Sequence, residues 1–316
     1  MKKSFFACLF IISVSMAHAQ NDGETAFTFL RLPVSAHASA LGGDNVSVVD
    51  DDVMMMFHNP ALIVGASPKT IGLQYMNYMS GCNNASAAYK LTVSEKYHVG
   101  IGASFMSYGT ITHTDASGNV LGDFSAKDFF VSGTLAYDLL KNVAGGITLK
   151  YAYSNIGSYN AMAVAADIGL NWYDPETEWS VGLVVKNLGG QVKAYDEDFE
   201  KLPLDVQLGV TKRLVGSPLR LSATLVDLDH PGYKFWNHLC FGAELFLASN
   251  IYVGGGYNFR RASEMEITDS ENEVSSHGAG LSLGGGVALE RIKFNVSYAK
   301  YHVSSNSLML NIAYQL

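Results

Sequence analysis

Residues 307–316 read SLMLNIAYQL. Leu308, Leu310, Ile312, Tyr314 and Leu316 share one parity, and Ser307, Met309, Asn311, Ala313 and Gln315 share the other. A β-strand has a period of two, so this stretch carries one apolar face and one small or polar face. Ile292, Phe294, Val296 and Tyr298 repeat the pattern against Lys293, Asn295, Ser297 and Ala299. Met162, Val164, Ala166, Ile168, Leu170 and Trp172 form another stripe, and Asp167 stands on the opposite face. An acid there is costly against lipid and acceptable against a polar lumen.

Working outward, similar segments occupy 70–79, 84–92, 97–109, 127–139, 142–156, 160–173, 178–187, 204–213, 218–229, 237–247, 250–260, 275–289, 292–303 and 307–316. They number fourteen, and an even count returns both ends of a single-chain barrel to the same side. The joins near 94–95, 140–141, 175–176, 216–217, 249–250 and 290–291 are short, whereas 110–126, 188–203, 230–236 and 261–274 are longer. Short turns at one end and long loops at the other are the asymmetry of an outer-membrane barrel. A secreted β-sandwich or adhesin, the rival class, has no reason to sort its loops. Thr110–Asp115 and Val120–Ser125 flank the turn-rich Ala116-Ser117-Gly118-Asn119, which predicts a hairpin standing above the membrane. The expected fold is all-β: a 14-stranded antiparallel transmembrane β-barrel.

Composition agrees. Charged residues are 16% of the chain, against about 25% in soluble domains. No run long and apolar enough for a transmembrane helix follows the first residues. Lys2 and Lys3, the apolar stretch 4–14 and Ala17-His18-Ala19 form a secretory signal. The expected organisation is a cleaved signal peptide 1–19, a segment folded into the lumen 20–68 and a barrel 69–316 in the cell outer membrane. Removing the signal takes the net charge from −8 to −10, which excludes a basic nucleic-acid binder. Cys82 and Cys240 remain and are expected to be free thiols, because two cysteines make no disulfide framework.

The segment 27–62, FTFLRLPVSAHASALGGDNVSVVDDDVMMMFHNPAL, is too irregular for a membrane strand and too apolar for a free tail. Placed before a closed barrel, it is expected to pack inside. Asn59 suits a helix cap and Pro60 a first helical turn. Gly42-Gly43 lets the backbone turn sharply against the wall.

Chemistry is sparse. Asp50-Asp51-Asp52 lacks the spaced oxygens of a calcium loop. Gly254-Gly255-Gly256 and Gly284-Gly285-Gly286 lie in strand-like runs and not between a strand and a helix, so they are not phosphate loops. The chain has no H-E-x-x-H pair. A rim hydrolase using barrel serines and Asp227 has no supporting spacing. No catalytic residue, metal site or cofactor is expected. Two loops are acidic, with Asp196, Glu197 and Asp198 in one and Glu264, Glu266 and Asp269 in the other. Tyr233, Phe235 and Trp236 are expected to be exposed aromatics between two strands. These loops are the candidate partner-facing surface, because clustered acids steer a basic partner and aromatics dominate interfaces.

Leu32, Pro33, Ser35, Ala36, Ala40, Leu41, Gly42 and Gly43, with Asn59-Pro60-Ala61, resemble the signature of the PorQ family of the type IX secretion system. The resemblance extends from the signal through the strand meander to the end of the chain. It implies a FadL-like, PorV-related barrel whose N-terminal segment enters the lumen. By the same resemblance the function is non-enzymatic: a protein that anchors a PorZ-like surface partner beside PorU- and PorV-like proteins. Tyr314-Gln315-Leu316 is similar to an outer-membrane assembly signal, with Leu in place of Phe. The alternatives are FadL-like transport of a hydrophobic small molecule and a PorV-like cargo shuttle. A lateral opening for transport would need a kinked strand, and the Gly-rich 275–289 is the expected place.

Overall fold

The computed structural model describes residues 25–94, 96–265, 267–268, 274–276, 278–302 and 305–316; the expected signal peptide lies outside them. Fourteen strands run in chain order: β1 Thr70–Asn77, β2 Asn83–Thr92, β3 Tyr97–Thr114, β4 Val120–Leu140, β5 Val143–Ile156, β6 Tyr159–Asp174 and β7 Trp179–Lys193. They continue with β8 Asp205–Arg213, β9 Leu219–Leu225, β10 Leu239–Ala248, β11 Ile251–Asn258, β12 Leu281–Ala288, β13 Ile292–His302 and β14 Ser305–Gln315. Each pairs with its neighbours in sequence, and β14 pairs antiparallel with β1 from Thr70↔Gln315 to Asn77↔Leu308, which closes the barrel. A small hairpin, Ile267–Thr268 with Val274–Ser275, stands apart from the wall.

The two-residue period sorts the side chains as the sequence predicts. In β14 Leu308, Leu310, Ile312 and Tyr314 are exposed outward, while Met309, Asn311 and Ala313 are buried inward. The outward belt is apolar on every side of the barrel, with Leu73, Ile101, Leu135, Leu149, Leu170 and Leu283 among its exposed members. The inner wall buries charged and polar groups, including Lys90, Lys150, Asp167, Gln207 and Glu244.

Strand ends differ from the sequence reading in four places. β3 and β4 run on together from Thr110↔Ser125 to Thr114↔Val120, past the last β2 partner at Ser107 and the last β5 partner at Ala126. The hairpin therefore continues the strands themselves, projecting about 20 Å at the rise of a strand. β7 is also longer than expected. β9 stops at Leu225, because Asp227 takes a left-handed φ of 50° and turns the chain inward. β12 begins only at Leu281, because Gly278 and Gly280 hold φ of 78° and 94° in a turn that no strand can contain.

Residues 33–48 and 52–63 are buried without interruption; they fill the lumen. Helix α1 (Ala36–Ala40) is capped by Ser35, whose hydroxyl accepts from Ala38 N at 3.3 Å. Two 3-10 helices follow. Asp52 caps Val53–Phe57, accepting from Met54 N at 2.9 Å, and Asn59 caps Pro60–Gly65, accepting from Ala61 N at 3.0 Å. Short caps of this kind let an irregular segment satisfy its own backbone in a dry interior. Met54, Met55, Met56, Leu41, Leu62 and Ile63 are at most 2% exposed, and each such side chain contributes about 1.5–3 kcal/mol on burial.

Candidate functional site

The lumen segment is fastened to the wall by polar ties at both ends of the barrel. At the end of the short turns, the imidazole of His37 lies 2.6 Å from Glu244. Arg220 donates to Glu244 through Nε at 2.6 Å and Nη2 at 2.8 Å, and to Asp50 at 3.2 Å. Burial works to lower the pKa of His37, but the Glu244 carboxylate, with Asp50, outweighs it and holds the imidazole above its usual value. Lys293 pairs with Asp51 nearby. His58 behaves oppositely. Its Nε2 accepts from Val34 N at 3.4 Å and Ser35 N at 3.3 Å, and burial brings its pKa down to about 3. It is a neutral structural acceptor.

The signature residues are distributed through this packing. Ala36 and Ala40 are fully buried, and an added Cβ at Gly284 on β12 would stand 2.6 Å from Ala40 Cβ. Leu41, Gly42 and Gly43 lie against the inner face of the wall at β10, β11 and the helical turn after it. Gly42 holds φ of 104°, and a Cβ there would meet Cys240 Sγ at 2.4 Å, so only glycine fits. Asn59 lies against β6, donating to Leu170 O at 3.2 Å, and also donates to Val46 O of the lumen segment at 2.9 Å. Pro60 and Ala61 press on Gly146 of β5. Leu32 and Pro33 face a cavity. Cys82 and Cys240 are free.

That cavity is the vestibule, of about 610 Å³, at the end of the long loops. Phe29, Leu32 and Pro33 form its floor, and Tyr78, Met106, Tyr108 and Tyr301 stand in its wall. Arg31 donates to Asp227 at 3.0 Å, and Arg260 pairs with the other oxygen of the same carboxylate. Arg260 and Arg261 belong to helix α2 (Phe259–Glu264), whose cap Asn258 accepts from Arg261 N at 3.0 Å. Arg261 lies 3.9 Å over the Tyr301 ring and donates to Gly42 O at 2.9 Å. Glu264 ends α2 at the rim, paired with Arg260.

A break in strand pairing lies in the wall at β7. β7 pairs with β8 only from Trp179↔Lys212 to Lys186↔Asp205; from Asn187 onward it follows β6 alone. Asn187 holds φ of 58°, and the β6–β7 register shifts around Asp167. Asp167 accepts from Asn187 N at 2.8 Å and pairs with Lys150 at 2.6 Å, and Lys150 donates to Asn187 Oδ1 at 2.9 Å. This polar knot pins the bend. Residues 194–204 fill part of the gap, leaving a groove of about 410 Å³ between Leu188–Gln191 and Phe199–Leu204. Thr25 lines the vestibule and Lys201 the groove; Thr25 bridges Lys201, and Ala26 N donates to Lys201 O at 3.0 Å.

The kink therefore lies in β7 and not in 275–289. β12 pairs continuously with β11 and with β13, and its glycines admit Ala40 and the neighbouring backbone. The loop expectations divide. Asp196, Glu197 and Asp198 are exposed, as are Phe235 and Trp236 at 64% and 62%. Tyr233 is not an exposed aromatic: it is half-buried and stacked on His230 with ring centroids 5.3 Å apart. Glu264 serves the Arg260 pair at the rim, and Glu266 and Asp269 lie outside the described residues. Asp227, Asp229 and His230 approach one another closely enough to suggest a metal. However, both Asp227 oxygens are taken by guanidinium groups, which occupy the place of a cation. Sequence reading missed Arg31, Arg260, Arg261 and the Lys186-Asn187 bend. The Arg260-Arg261 pair at the end of an expected strand and Gly189-Gly190 were the available signals.

No family model matches the chain, and no curated protein matches it. Solved structures do. The CymD monoaromatic hydrocarbon channel matches with a TM-score of 0.57 at 12% identity, over 92% of this chain and 98% of that one. The Pseudomonas putida toluene transporter TodX matches at 0.57 and 10%, over 89% and 97%. A Pseudomonas aeruginosa FadL homologue matches at 0.56 and 9%, over 90% and 99%. At these identities the likeness is one of architecture, and the chain has the closed 14-stranded barrel fold of the FadL-like outer-membrane proteins.

Proposed function

We propose that this chain is a non-catalytic, FadL-like outer-membrane protein that admits hydrophobic small molecules to the vestibule and releases them sideways through the wall. The observation that carries this reading is the parting of β7 from β8 after Lys186, beside the vestibule. A lateral route suits an apolar cargo. The lumen below the vestibule is filled by the buried segment, whereas the groove opens where Leu188 and Phe199 are exposed. Gly190 offers a clean test, because a Cβ there has nothing within 4 Å. Gly190→Phe should fill the groove without disturbing the strand. Uptake of labelled naphthalene by cells dependent on this barrel should fall several-fold while the amount of heat-modifiable barrel stays constant. Equal uptake would remove the lateral route.

A second reading follows the PorQ resemblance: an anchor for a PorZ-like surface protein in a type IX attachment complex with PorU- and PorV-like members. The β3–β4 hairpin favours it. Beyond Ser107 and Ala126 neither strand of the hairpin continues its ladder with β2 or β5, and Ile111, Val120 and Leu121 are exposed on it. Deleting 110–123 should release such a partner from cells without changing naphthalene uptake. A retained partner after this deletion counts against the anchor.

A further inference from the structure

The vestibule is built for more than a hydrocarbon. Among the described residues, Arg31 Nε and Arg261 Nη1 are buried with no hydrogen-bond partner. Arg260 Nε has only a 3.4 Å ion pair with Glu264. All three are N–H donors, and all three side chains line one cavity. A buried donor left unmade is costly, and native proteins keep such groups where something else completes them. The acids present are already engaged. Asp227 carries Arg31 and Arg260, and Asp44 accepts from Asn258 at 2.8 Å and lies 3.9 Å from Arg260. The donors that remain call for an oxygen-rich acceptor.

The rest of the wall calls for rings. Phe29, Tyr78 and Tyr108 present aromatic surface, and Met79, Met106 and Met265 present thioethers. Aromatic edges and polarizable sulfur pack well against flat rings. Guanidinium forks bind carboxylates with directional, charge-assisted bonds.

We propose that the vestibule binds a ring-bearing organic oxyanion, specifically an aromatic carboxylate, with its carboxylate on the arginine side and its ring among the methionines and tyrosines. This rests on the reading of the vestibule as a binding site, but it concerns binding and not passage. The test is isothermal titration of the full chain in lipid nanodiscs, referenced to empty discs, with 2-naphthoate, neutral 2-naphthalenemethanol and octanoate. The carboxylate should bind at least about tenfold tighter than the alcohol, the size of a hydrogen bond to a charged group, and should weaken with added salt. Arg31→Gln should erase that preference. Thr28→Glu, at an exposed residue of the vestibule outside the ion pairs, should weaken 2-naphthoate and leave the alcohol unchanged, which keeps the test open if Arg31→Gln does not assemble. Equal binding of the alcohol, octanoate matching 2-naphthoate, or indifference to both variants would overturn the proposal. The Gly190→Phe barrel separates this from transport: lost uptake with intact 2-naphthoate binding supports both readings. Uptake that the wild type shows and Gly190→Phe loses, with 2-naphthoate bound by neither barrel, removes only this one.

Discussion

Two ionic clusters of similar size tie the lumen segment to the wall, one at each end of the barrel. At the turn end, His37, Asp50, Arg220 and Glu244 interlock, and among the described residues none of the four has a buried polar atom without a partner. At the loop end, Arg31, Arg260 and Asp227 interlock as tightly, yet guanidinium N–H groups remain over and a cavity of about 610 Å³ adjoins them. The same residue types do different work. A closed cluster holds the segment in place, whereas an open one leaves capacity for a ligand.

The comparison breaks first at Glu244. Glu244→Ala strands a buried arginine beside a buried imidazole, and loss of one partner from such a pair costs about 3–5 kcal/mol. Urea titration of the gel-shift between folded and unfolded barrel should show the largest destabilisation here. Asp227→Ala is the matching change at the loop end. The Arg31 side chain keeps 24% of its surface exposed at the vestibule, against 10% for Arg220, so one of the two stranded charges is better hydrated and the expected cost is smaller, about 1–3 kcal/mol. Equal losses for the two variants would mean that both ends are merely structural.

Titration sharpens the difference further. The folded-state pKa of His37 is raised, so its contribution is complete below the ordinary value and is lost as pH rises through the raised one. His58 is depressed to about 3, so its contribution is complete above the ordinary value and is lost as pH falls from there. Melting of the wild type should therefore drop on both sides of near-neutral pH. His37→Gln should flatten the alkaline limb and His58→Gln the acid limb; unchanged limbs would place the titrating groups elsewhere. The smallest effect belongs to the loop acids. Asp196→Asn, Glu197→Gln and Asp198→Asn together should move stability by no more than about 0.5 kcal/mol, and a larger shift would show that this loop helps to hold the groove shut.

The fold was legible in the sequence because a lipid-facing strand repeats every second residue, and all fourteen such repeats occur in order. The filled lumen was legible because 27–62 is apolar without that period. Ends were less so. The β3–β4 extension continues past the apolar belt, where alternation no longer has lipid to answer to. The β7 bend depends on one left-handed residue, Asn187, whose side chain differs little in kind from many loop asparagines. The vestibule was not legible at all from local pattern. Arg31 and Asp227 are 196 positions apart, and only closure of the barrel brings them together.

That closure has a consequence for the order of events in biogenesis. The first strand pairs with the last, and Leu316 N donates to Lys69 O at the seam. The lumen segment precedes the first strand and touches the last, where Ala36 N donates to Asn311 Oδ1. Assembly is thus governed by the most distant pairing in the chain, and contacts of that separation form late. Until then β1 and β13 both present open edges of the kind that recruit foreign strands. A cell making this protein must therefore guard the two edges of a nearly finished sheet until the last strand joins them.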